Sequence, residues 1–327
     1  MRVWAALLLA GVALSAEVKE VRIPQGAGGL GFLPLLEMEK YQLIEKHAKA
    51  LGIDNLRVRW ISVGGPAVVN DALLSGAADF TAAGPPAFLT LWDRTTTSLK
   101  IKGVAAMASM PMYLNTRVDS IKRLEDLTEK DKIAVTSIKV SIPSLVMQMY
   151  AKSKYGPSQA ARFDRYTVTM THPDAVIALL SGAISAHFTS PPFYQRERKD
   201  ARVHTILTSD EILGGSTTFT MLATTSKFRE QNPNVYKAVM QALEEANQRI
   251  VADKTAAAEL FLSTTVQKGF TVQEIAGVLA DKSSRFTTTP ENIMKYANFM
   301  NEIGSIRTKP ASWKDLIFLE IQSAPGS

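Results

Sequence analysis

The chain has 327 residues, a formal net charge of +6, 46% hydrophobic residues and no cysteine. This length gives room for two domains and a sizeable buried core. The lysines and arginines are scattered, which argues against a nucleic-acid partner because such a surface shows a one-sided basic stripe. The missing cysteines exclude a disulfide framework and thiolate metal sites.

The first element is an apolar run from Val3 to Leu14, which follows Arg2 and precedes the small residues Ser15 and Ala16. This order is typical of a secretory signal peptide, and the run is shorter than the roughly 20 residues that span a bilayer. We therefore predict a signal peptide over residues 1–16, with a buried N-terminal helix as the alternative. Without a cysteine to carry a lipid, the mature protein is expected to be free in the periplasm of a Gram-negative cell.

Predicted strands and helices alternate along the rest of the chain. The strands cover residues 18–24, 56–63, 79–82, 102–107, 132–135 and 166–170, and the helices cover residues 32–51, 66–74, 121–127, 141–150, 174–180, 233–253, 255–264, 271–283 and 290–303. Gly52, Gly76 and Gly182 stop three of these helices. The alternation predicts an α/β fold with parallel sheets covered by helices on both faces.

One sequence pattern occurs twice. Residues 72–88 are ALLSGAADFTAAGPPAF and residues 178–193 are ALLSGAISAHFTSPPF, at an offset of 106 residues. Each copy combines a helix end, a glycine cap, a short apolar strand and a Pro-Pro turn. Helix–glycine–strand units can recur by chance in α/β proteins, but the shared letters favour two similar lobes. Because ligands of open α/β sheets sit at the carboxyl ends of strands, Gly84-Pro85 and Thr189-Ser190 are expected to face a cleft.

A glycine-rich turn, Gly26 to Gly31, fits the G-x-G-x-x-G spacing of a dinucleotide site. The next strand ends in Ile61-Ser62-Val63 without the acid that would bind a ribose, so we predict no such cofactor. The turn, with Gln25 and Gly28, still offers backbone N–H groups to a ligand in the cleft.

The sequence shows no arrangement typical of catalysis or metal binding. The four histidines, His47, His172, His187 and His204, are isolated in the sequence and lack metal-ligand spacing. His187 falls on a predicted strand, where a structural role is expected. We therefore predict no catalytic residues, no metal and no cofactor.

The motifs in this order resemble the substrate-binding proteins of ABC importers, nearest to the nitrate/sulfonate/taurine type with its relatives that bind thiamine-pyrimidine precursors. The residues that carry the resemblance are Pro34-Leu35-Leu36, Gly64-Gly65, the segment 72–80, the segments 121–127 and 132–135, the segment 174–182, Pro191-Pro192-Phe193 and Asn232-Pro233. The chain departs from the family at Ser185, near which members usually carry an acidic residue.

The resemblance implies a type II periplasmic binding protein, in which two Rossmann-like lobes are joined by a two-strand hinge. Lobe 1 would comprise residues 17–111 plus 217–327, and lobe 2 residues 112–216. The crossings are expected near Met110 and at Gly214-Gly215-Ser216, where small or flexible residues absorb rotation. The implied partners are a small solute and an inner-membrane permease with its ATPase, and the protein is expected to be a monomer that is not an enzyme.

Helix termini suggest how the ligand is held. The turns at Gly64-Gly65-Pro66 and at 137–141 precede helices whose first N–H groups lack partners and carry partial positive charge, which favours anions. Lys139 would add a full charge, and the serines of the second turn are either ligand donors or plain helix caps. The complete predicted ligand-binding set is Gln25, Gly28, Gly65, Pro66, Gly84, Pro85, Met110, Ser137, Lys139, Ser141, Thr189, Ser190 and Thr217.

The predicted ligand is a small anion, such as a sulfonate, a carboxylate or nitrate. Phe88 and Phe193 could stack on an aromatic solute, although packing beneath the loops is the expected role of both. The alternatives left open are a binder of a neutral aromatic or pyrimidine-type nutrient and an enzyme of the same fold that resembles a pyrimidine synthase.

Overall fold

The computed structural model describes residues 16–26, 28–62, 64–264 and 269–327. The predicted signal peptide lies outside the described residues except for Ala16. From residue 17 the chain is built into the fold. The Glu17 carboxylate accepts hydrogen bonds from the backbone N–H groups of Asn234 and Val235, at 3.1 and 2.8 Å. A carboxylate is stabilised there because the first turn of a helix carries partial positive charge.

Strands and helices alternate through the described residues, as predicted, and are numbered in chain order. The strands are β1 (Glu20–Pro24), β2 (Arg57–Ile61), β3 (Phe80–Ala83), β4 (Ile101–Ser109), β5 (Tyr113–Thr116), β6 (Ile133–Val135), β7 (Thr167–Thr169), β8 (Ala186–Thr189), β9 (His204–Thr208) and β10 (Thr218–Thr225). The helices are α1 (Leu33–Lys40), α2 (Leu43–Ala50), α3 (Pro66–Leu74), α4 (Pro85–Thr95), α5 (Ile142–Tyr155), α6 (His172–Ser181), α7 (Phe193–Glu197), α8 (Ser209–Leu213), α9 (Ser226–Gln231), α10 (Pro233–Ala252), α11 (Lys254–Thr264), α12 (Val272–Ala280), α13 (Ile293–Glu302) and α14 (Trp313–Leu316).

The first lobe contains two adjoining open sheets. Strands β1 and β2 pair in parallel, and the second sheet has the order β3-β10-β4 with β10 antiparallel to both neighbours. The Asp79 N–H donates to the Arg22 carbonyl at 2.9 Å, and the Arg22 guanidinium bonds the Asp79 carboxylate at 2.7 Å. These bonds hold β1 beside the start of β3. Helix α10 packs on α1 and α2 over this lobe.

The second lobe is built on one five-stranded open sheet with the order β7-β6-β8-β5-β9. Strand β6 runs parallel to β7 and β8, whereas β5 runs antiparallel to β8 and β9. Helices α5, α6 and α7 pack around it, and a small apolar cluster of Ala134, Ala175 and Leu179 lies beneath α6. The predicted α/β fold class with open sheets is therefore confirmed.

Two crossings connect the sheets of the two lobes. The chain leaves β4 and enters β5 through residues 110–112, and it returns from α8 to β10 through residues 214–217. The crossings run side by side, because the Ser209 N–H donates to the Met112 carbonyl at 2.9 Å and the Ser109 hydroxyl donates to the Thr217 carbonyl at 2.5 Å. The residue bounds of the lobes, 17–111 plus 217–327 and 112–216, stay a prediction.

The expectation of parallel sheets is wrong for β5 and β10. Each of these strands follows a crossing and enters its new sheet from the opposite end, so each pairs antiparallel with its neighbours. Short apolar runs do not reveal strand direction, since that direction is set by the connection that precedes the strand.

Three local predictions also need correction. The helix predicted over residues 121–127 is only a 3-10 turn at Leu124–Asp126. The single helix predicted over residues 32–51 is broken at Gln42, whose φ of 48° is left-handed, and it forms α1 and α2. Pro85 begins helix α4 and does not lie in a loop; a proline at the first helical position is compatible with a helix because the missing N–H would have no partner there. No helix of the described residues is long and apolar enough to cross a membrane.

Candidate functional site

A cavity lies between the two lobes and encloses about 460 Å³ of space, counting its mouth. Both lobes line it, and among its described lining residues no Lys, Arg, Asp or Glu occurs. The lining residues are Gly28, Phe32, Pro66, Gly84, Phe219 and Thr220 from the first lobe, and Met112, Thr136, Val140, Ser141, Ile142, Pro143 and His172 from the second.

Four helices begin at this cavity. Pro66 and Gly84 mark the starts of α3 and α4 in the first lobe, and Ser141 and His172 mark the starts of α5 and α6 in the second. The first N–H groups of a helix lack intrahelical partners, and the helix dipole makes this end partly positive. The four ends together create positive potential without a charged side chain, although Pro66, Pro85 and Pro143 remove some of the N–H donors.

An aromatic pair forms the apolar wall of the first-lobe side. Phe32 and Phe219 line the cavity and are mostly buried, at 7% relative exposure each. Close packing against glycines fixes both rings, since a Cβ on Gly26 would lie 2.1 Å from Phe32 Cδ1 and a Cβ on Gly31 would lie 2.3 Å from Phe219 Cδ1. The glycine-rich turn therefore positions aromatic rings in this structure.

The lobes touch across the cleft on either side of the cavity. A Cβ on Gly65 would lie 3.0 Å from the Thr136 carbonyl oxygen, and a Cβ on Gly29 would lie 3.4 Å from Phe193 Cε2. Two ion pairs also join the lobes, Lys152 with Glu302 and Lys199 with Glu274. The cleft is therefore closed in this structure, and the space between Gly65 and the second lobe is too small for a Cβ to fit without a shift.

The structure brings part of the predicted ligand-binding set to the cavity. The predicted residues that line it are Gly28, Pro66, Gly84 and Ser141. Gly65 and Ser137 lie together at the lobe contact beside it, where a Cβ on Gly65 would lie 3.3 Å from Ser137 Oγ. The Ser141 and Ser144 hydroxyls both donate to the Ser137 carbonyl, which orders the turn before α5.

Other predicted residues are not on the cavity wall. Those that are buried and do not line it are Pro85, Met110, Thr189, Ser190 and Thr217. Gln25 lines a neighbouring pocket and donates to the Glu39 carboxylate at 2.8 Å. Lys139 is exposed with a left-handed φ of 66°, and its charge acts on Asp164 at the surface. Phe88 and Phe193 are buried in the core.

Two of the four histidines, which are isolated in the sequence, are neighbours in the folded chain. His172 Nδ1 and His187 Nε2 are 2.9 Å apart, and His187 Nδ1 lies 2.5 Å from Glu197 Oε1. Ser190 Oγ lies 3.4 Å from His172 Nε2, which is long for such a bond. The correction follows from topology, since the start of α6, the end of β8 and α7 meet at one point. No group of three or more His, Asp or Glu in the described part of the chain could hold a metal ion.

Burial dominates the electrostatics of this group. It raises the pKa of Glu197 to about 8, opposed by a hydrogen bond from Asn115 at 2.9 Å. It lowers the pKa of His187 to about 3 and, with the neighbouring His187, lowers that of His172. At neutral pH the folded group therefore favours neutral histidines and a protonated Glu197.

Sequence reasoning missed several lining residues. Apolar ones such as Phe32, Met112 and Phe219 look like core residues in a sequence. His172 had a usable signal, because Thr171-His172-Pro173 is a cap followed by a proline in the first turn. Such a pattern places His172 at a helix N-terminus, the same kind of position that singled out Gly65 and Ser141.

The fold and the site define a class of protein. Two open-sheet α/β lobes, two adjacent crossings and one interlobe cavity with converging helix N-termini are the architecture of bilobal solute-binding proteins. Residues 24–263 match the NMT1-like family, and the chain belongs to that family. This match, with the solved structures of an alkanesulfonate-binding and a nitrate-binding protein, confirms the predicted resemblance to the nitrate/sulfonate/taurine type. A comparison with curated proteins found no match.

Solved structures show the same fold. The alkanesulfonate-binding protein SsuA from Xanthomonas axonopodis, bound to MOPS, superposes with a TM-score of 0.68 at 16% identity, covering 93% of this chain and 97% of its own. The periplasmic nitrate-binding protein NrtA from Synechocystis gives 0.67 at 14% identity, covering 91% and 84%. A Candida albicans protein with the generic periplasmic binding protein fold gives 0.66 at 14% identity, covering 91% and 95%.

Proposed function

We propose that this protein is the periplasmic solute-binding component of an ABC importer, and that it captures a small organic anion between its lobes. The observation that carries the proposal is the interlobe cavity, at which four helices begin and whose lining, among the residues that the structure describes, includes no Lys, Arg, Asp or Glu. The lobes would be residues 17–111 plus 217–327 and residues 112–216. The predicted signal peptide supports export to the periplasm.

The shape and chemistry of the cavity support an anion with an apolar part. Helix N-termini hold carboxylate, sulfonate or phosphate groups through backbone N–H donors. Phe32, Phe219 and Met112 offer an apolar surface on which a ring or alkyl chain would lose contact with water. The known neighbours agree with this class, because one binds alkanesulfonates and another nitrate.

Binding would act by closure and without chemistry on the solute. A ligand that touches Pro66 and Gly84 on one lobe and Ser141 and His172 on the other stabilises the closed form over the open one. The closed monomer would then dock on a permease that is driven by an ATPase. Release into the permease requires the lobes to part at the two crossings.

A second candidate is a binder of a neutral aromatic or pyrimidine-type solute. The observation that favours it is the same cavity, where Phe32 and Phe219 line a space whose described wall includes no Lys or Arg. The two candidates differ in whether the ligand must carry a negative charge. Matched pairs of ligands of equal shape therefore discriminate them.

A thermal-shift screen tests both candidates. Benzoate and benzenesulfonate are compared with benzamide and benzenesulfonamide, and nitrate, taurine, uracil and cytosine complete the panel. A true ligand raises the melting temperature with the logarithm of its excess. Stabilisation by the anions alone supports the proposal, and stabilisation by neutral members alone supports the second candidate. A folded protein that responds to no member contradicts both, and turnover of a hit, followed by NMR, contradicts a pure binding role.

A further inference from the structure

A buried chain of polar side chains runs from the cavity wall into the second lobe. It begins at His172, which lines the cavity, continues through His187 and ends at Glu197. His187 is 1% exposed and Glu197 is fully buried. Burying two histidines and a carboxylic acid costs free energy, which the hydrogen bonds among them offset in part. Such a group calls for a role beyond packing.

The far end of the chain is fixed. The Asn115 side-chain N–H donates to Glu197 Oε2 at 2.9 Å, and the Thr205 hydroxyl donates to Asn115 Oδ1 at 2.7 Å. The Asn115 side-chain amide therefore cannot flip without losing its hydrogen bonds to Glu197 and Thr205. This leaves Glu197 Oε1 to share a proton with His187 Nδ1.

The near end is fixed by stacking. The His172 ring lies 5.2 Å from the Phe193 ring at an interplanar angle of 26°. Nδ1 is bonded to His187, whereas the other ring nitrogen, Nε2, has the long contact to Ser190 Oγ. The His172 side chain forms part of the cavity wall.

A neutral imidazole carries one proton, so each bond in the chain sets the next. If Glu197 is protonated it donates to His187 Nδ1, His187 Nε2 then donates to His172 Nδ1, and the His172 proton must sit on Nε2. If Glu197 is ionised, every bond reverses and His172 Nε2 becomes an acceptor. One proton at the buried carboxyl therefore decides whether His172 Nε2 is a donor or a lone pair.

We infer that His172 contacts the ligand and donates a hydrogen bond to it from Nε2–H. Protonated Glu197 keeps the His172 proton on Nε2 through its hydrogen bond to His187. This inference rests on the proposed binding function and narrows the solute to one with a hydrogen-bond acceptor at this point. A carboxylate or sulfonate oxygen fits best, since the donor and the helix N-termini then act on one group. Ionisation of Glu197 turns a lone pair toward that oxygen and weakens binding.

The surroundings support protonated Glu197 at neutral pH. Its raised pKa comes from burial, and the neighbouring charged or titratable side chains have other partners. Arg117, Arg198 and His204 bond the backbone carbonyls of Leu180, Val203 and Ile121, and the carboxylates of Asp131 and Asp174 bond the hydroxyls of Ser185 and Thr171. Arg202 pairs with Asp200 and Lys199 with Glu274, while Arg196 lies over the Phe270 ring and Tyr113 stacks on Tyr194.

Long-range ¹H–¹⁵N NMR of the imidazole rings tests the chain without any ligand. The protein has four histidines, and His47→Gln and His204→Gln assign two of them by elimination. We expect His172 and His187 to carry their protons on Nε2 at about pH 6.5 and on Nδ1 well above pH 8. Glu197→Gln, whose amide can only donate to His187 while it accepts from Asn115, should keep both on Nε2 throughout. If His172 and His187 of the natural protein carry their protons on Nδ1 at pH 6.5, or if their tautomers do not change with pH, the inference is overturned.

Calorimetry with benzenesulfonate, which does not titrate in this range, tests the link to binding. The affinity of the natural protein should fall about fivefold between pH 8 and pH 9, because the fraction with Glu197 protonated falls from about one half to about one eleventh when the pKa is near 8. Glu197→Gln should flatten this profile. Glu37→Gln, which changes another buried acid away from the cavity, should keep it. A flat profile in the natural protein, despite switching tautomers, overturns the role of His172.

The binding function and this inference can fail separately. If the tautomers switch as expected but neither benzenesulfonate nor benzoate binds, the proposed anion-binding function is contradicted and the assignment of the His172 proton stands. If both bind but His172 carries its proton on Nδ1, the function stands and the inference is wrong. The NMR experiment on the natural protein needs no variants other than His47→Gln and His204→Gln, which assign the signals.

Discussion

Gly65→Ala should hold the cleft open while leaving each lobe intact. Gly65 caps α3 with φ −68° and ψ 178°, a conformation that alanine adopts without strain. In the closed form, the new Cβ would lie 3.0 Å from the Thr136 carbonyl oxygen and 3.3 Å from Ser137 Oγ. Both partners belong to the other lobe, so the clash exists only when the cleft is shut.

The size of the effect follows from that contact. The nearer atom is a backbone oxygen that cannot rotate away, so the lobes must separate by a few tenths of an ångström. Overpacking of this kind costs roughly 1–3 kcal/mol, which corresponds to a loss of affinity of about 5- to 150-fold. The cost falls on closure and therefore on the bound state.

The assay is calorimetric titration of the best hit from the ligand panel, with thermal unfolding of the free protein beside it. Gly64→Ala is the matched control, because a Cβ there meets only Val68 of the same lobe, at 3.6 Å. We expect Gly65→Ala to lose affinity and Gly64→Ala to keep it, with both unfolding near the natural melting temperature. Equal affinities for the two variants would refute the closed contact at Gly65 as a determinant of binding.

Three further predictions follow from other parts of the fold. Gly31→Ala should lower the free energy of unfolding by roughly 1–3 kcal/mol, seen as a lower urea midpoint, because its Cβ would lie 2.3 Å from Phe219 ring atoms; an unchanged midpoint would show that the ring yields. The free energy of unfolding should decline as pH rises from about 6.5 through 8, since folded Glu197, with a pKa near 8 against 4.5 for an ordinary Glu, keeps a proton that the unfolded chain has released. His172 and His187, whose pKa values are lowered, change the free energy of unfolding in the opposite direction, and only below their ordinary pKa of 6.5. Denaturant titrations of Glu197→Gln should therefore show no decline in the free energy of unfolding from about pH 6.5 through 8. Mass spectrometry of the exported protein should give Glu17 as the first residue; retention of residues 1–16 in the periplasmic fraction would contradict the predicted signal peptide.

The sequence alone determined features that local physics controls. Helix ends at Gly76 and Gly182, the repeated Pro-Pro turn and the capping pair of Thr271 with Glu274 are set by neighbours a few residues apart. In the structure the repeat leads from α3 through β3 to α4 and from α6 through β8 to α7. The α/β class, most helices and the helix starts that line the cavity could be read in this way.

Tertiary structure alone decided which residues meet across the lobes. Lys139 was attractive as a cation in a predicted binding turn, but a left-handed backbone places it at the surface. His172 and His187 stand 15 residues apart in the chain, and their 2.9 Å contact depends on how α6 packs on β8. Short-range patterns fix the type and the ends of an element. Contacts between elements depend instead on crossings and packing angles, which are properties of the whole chain.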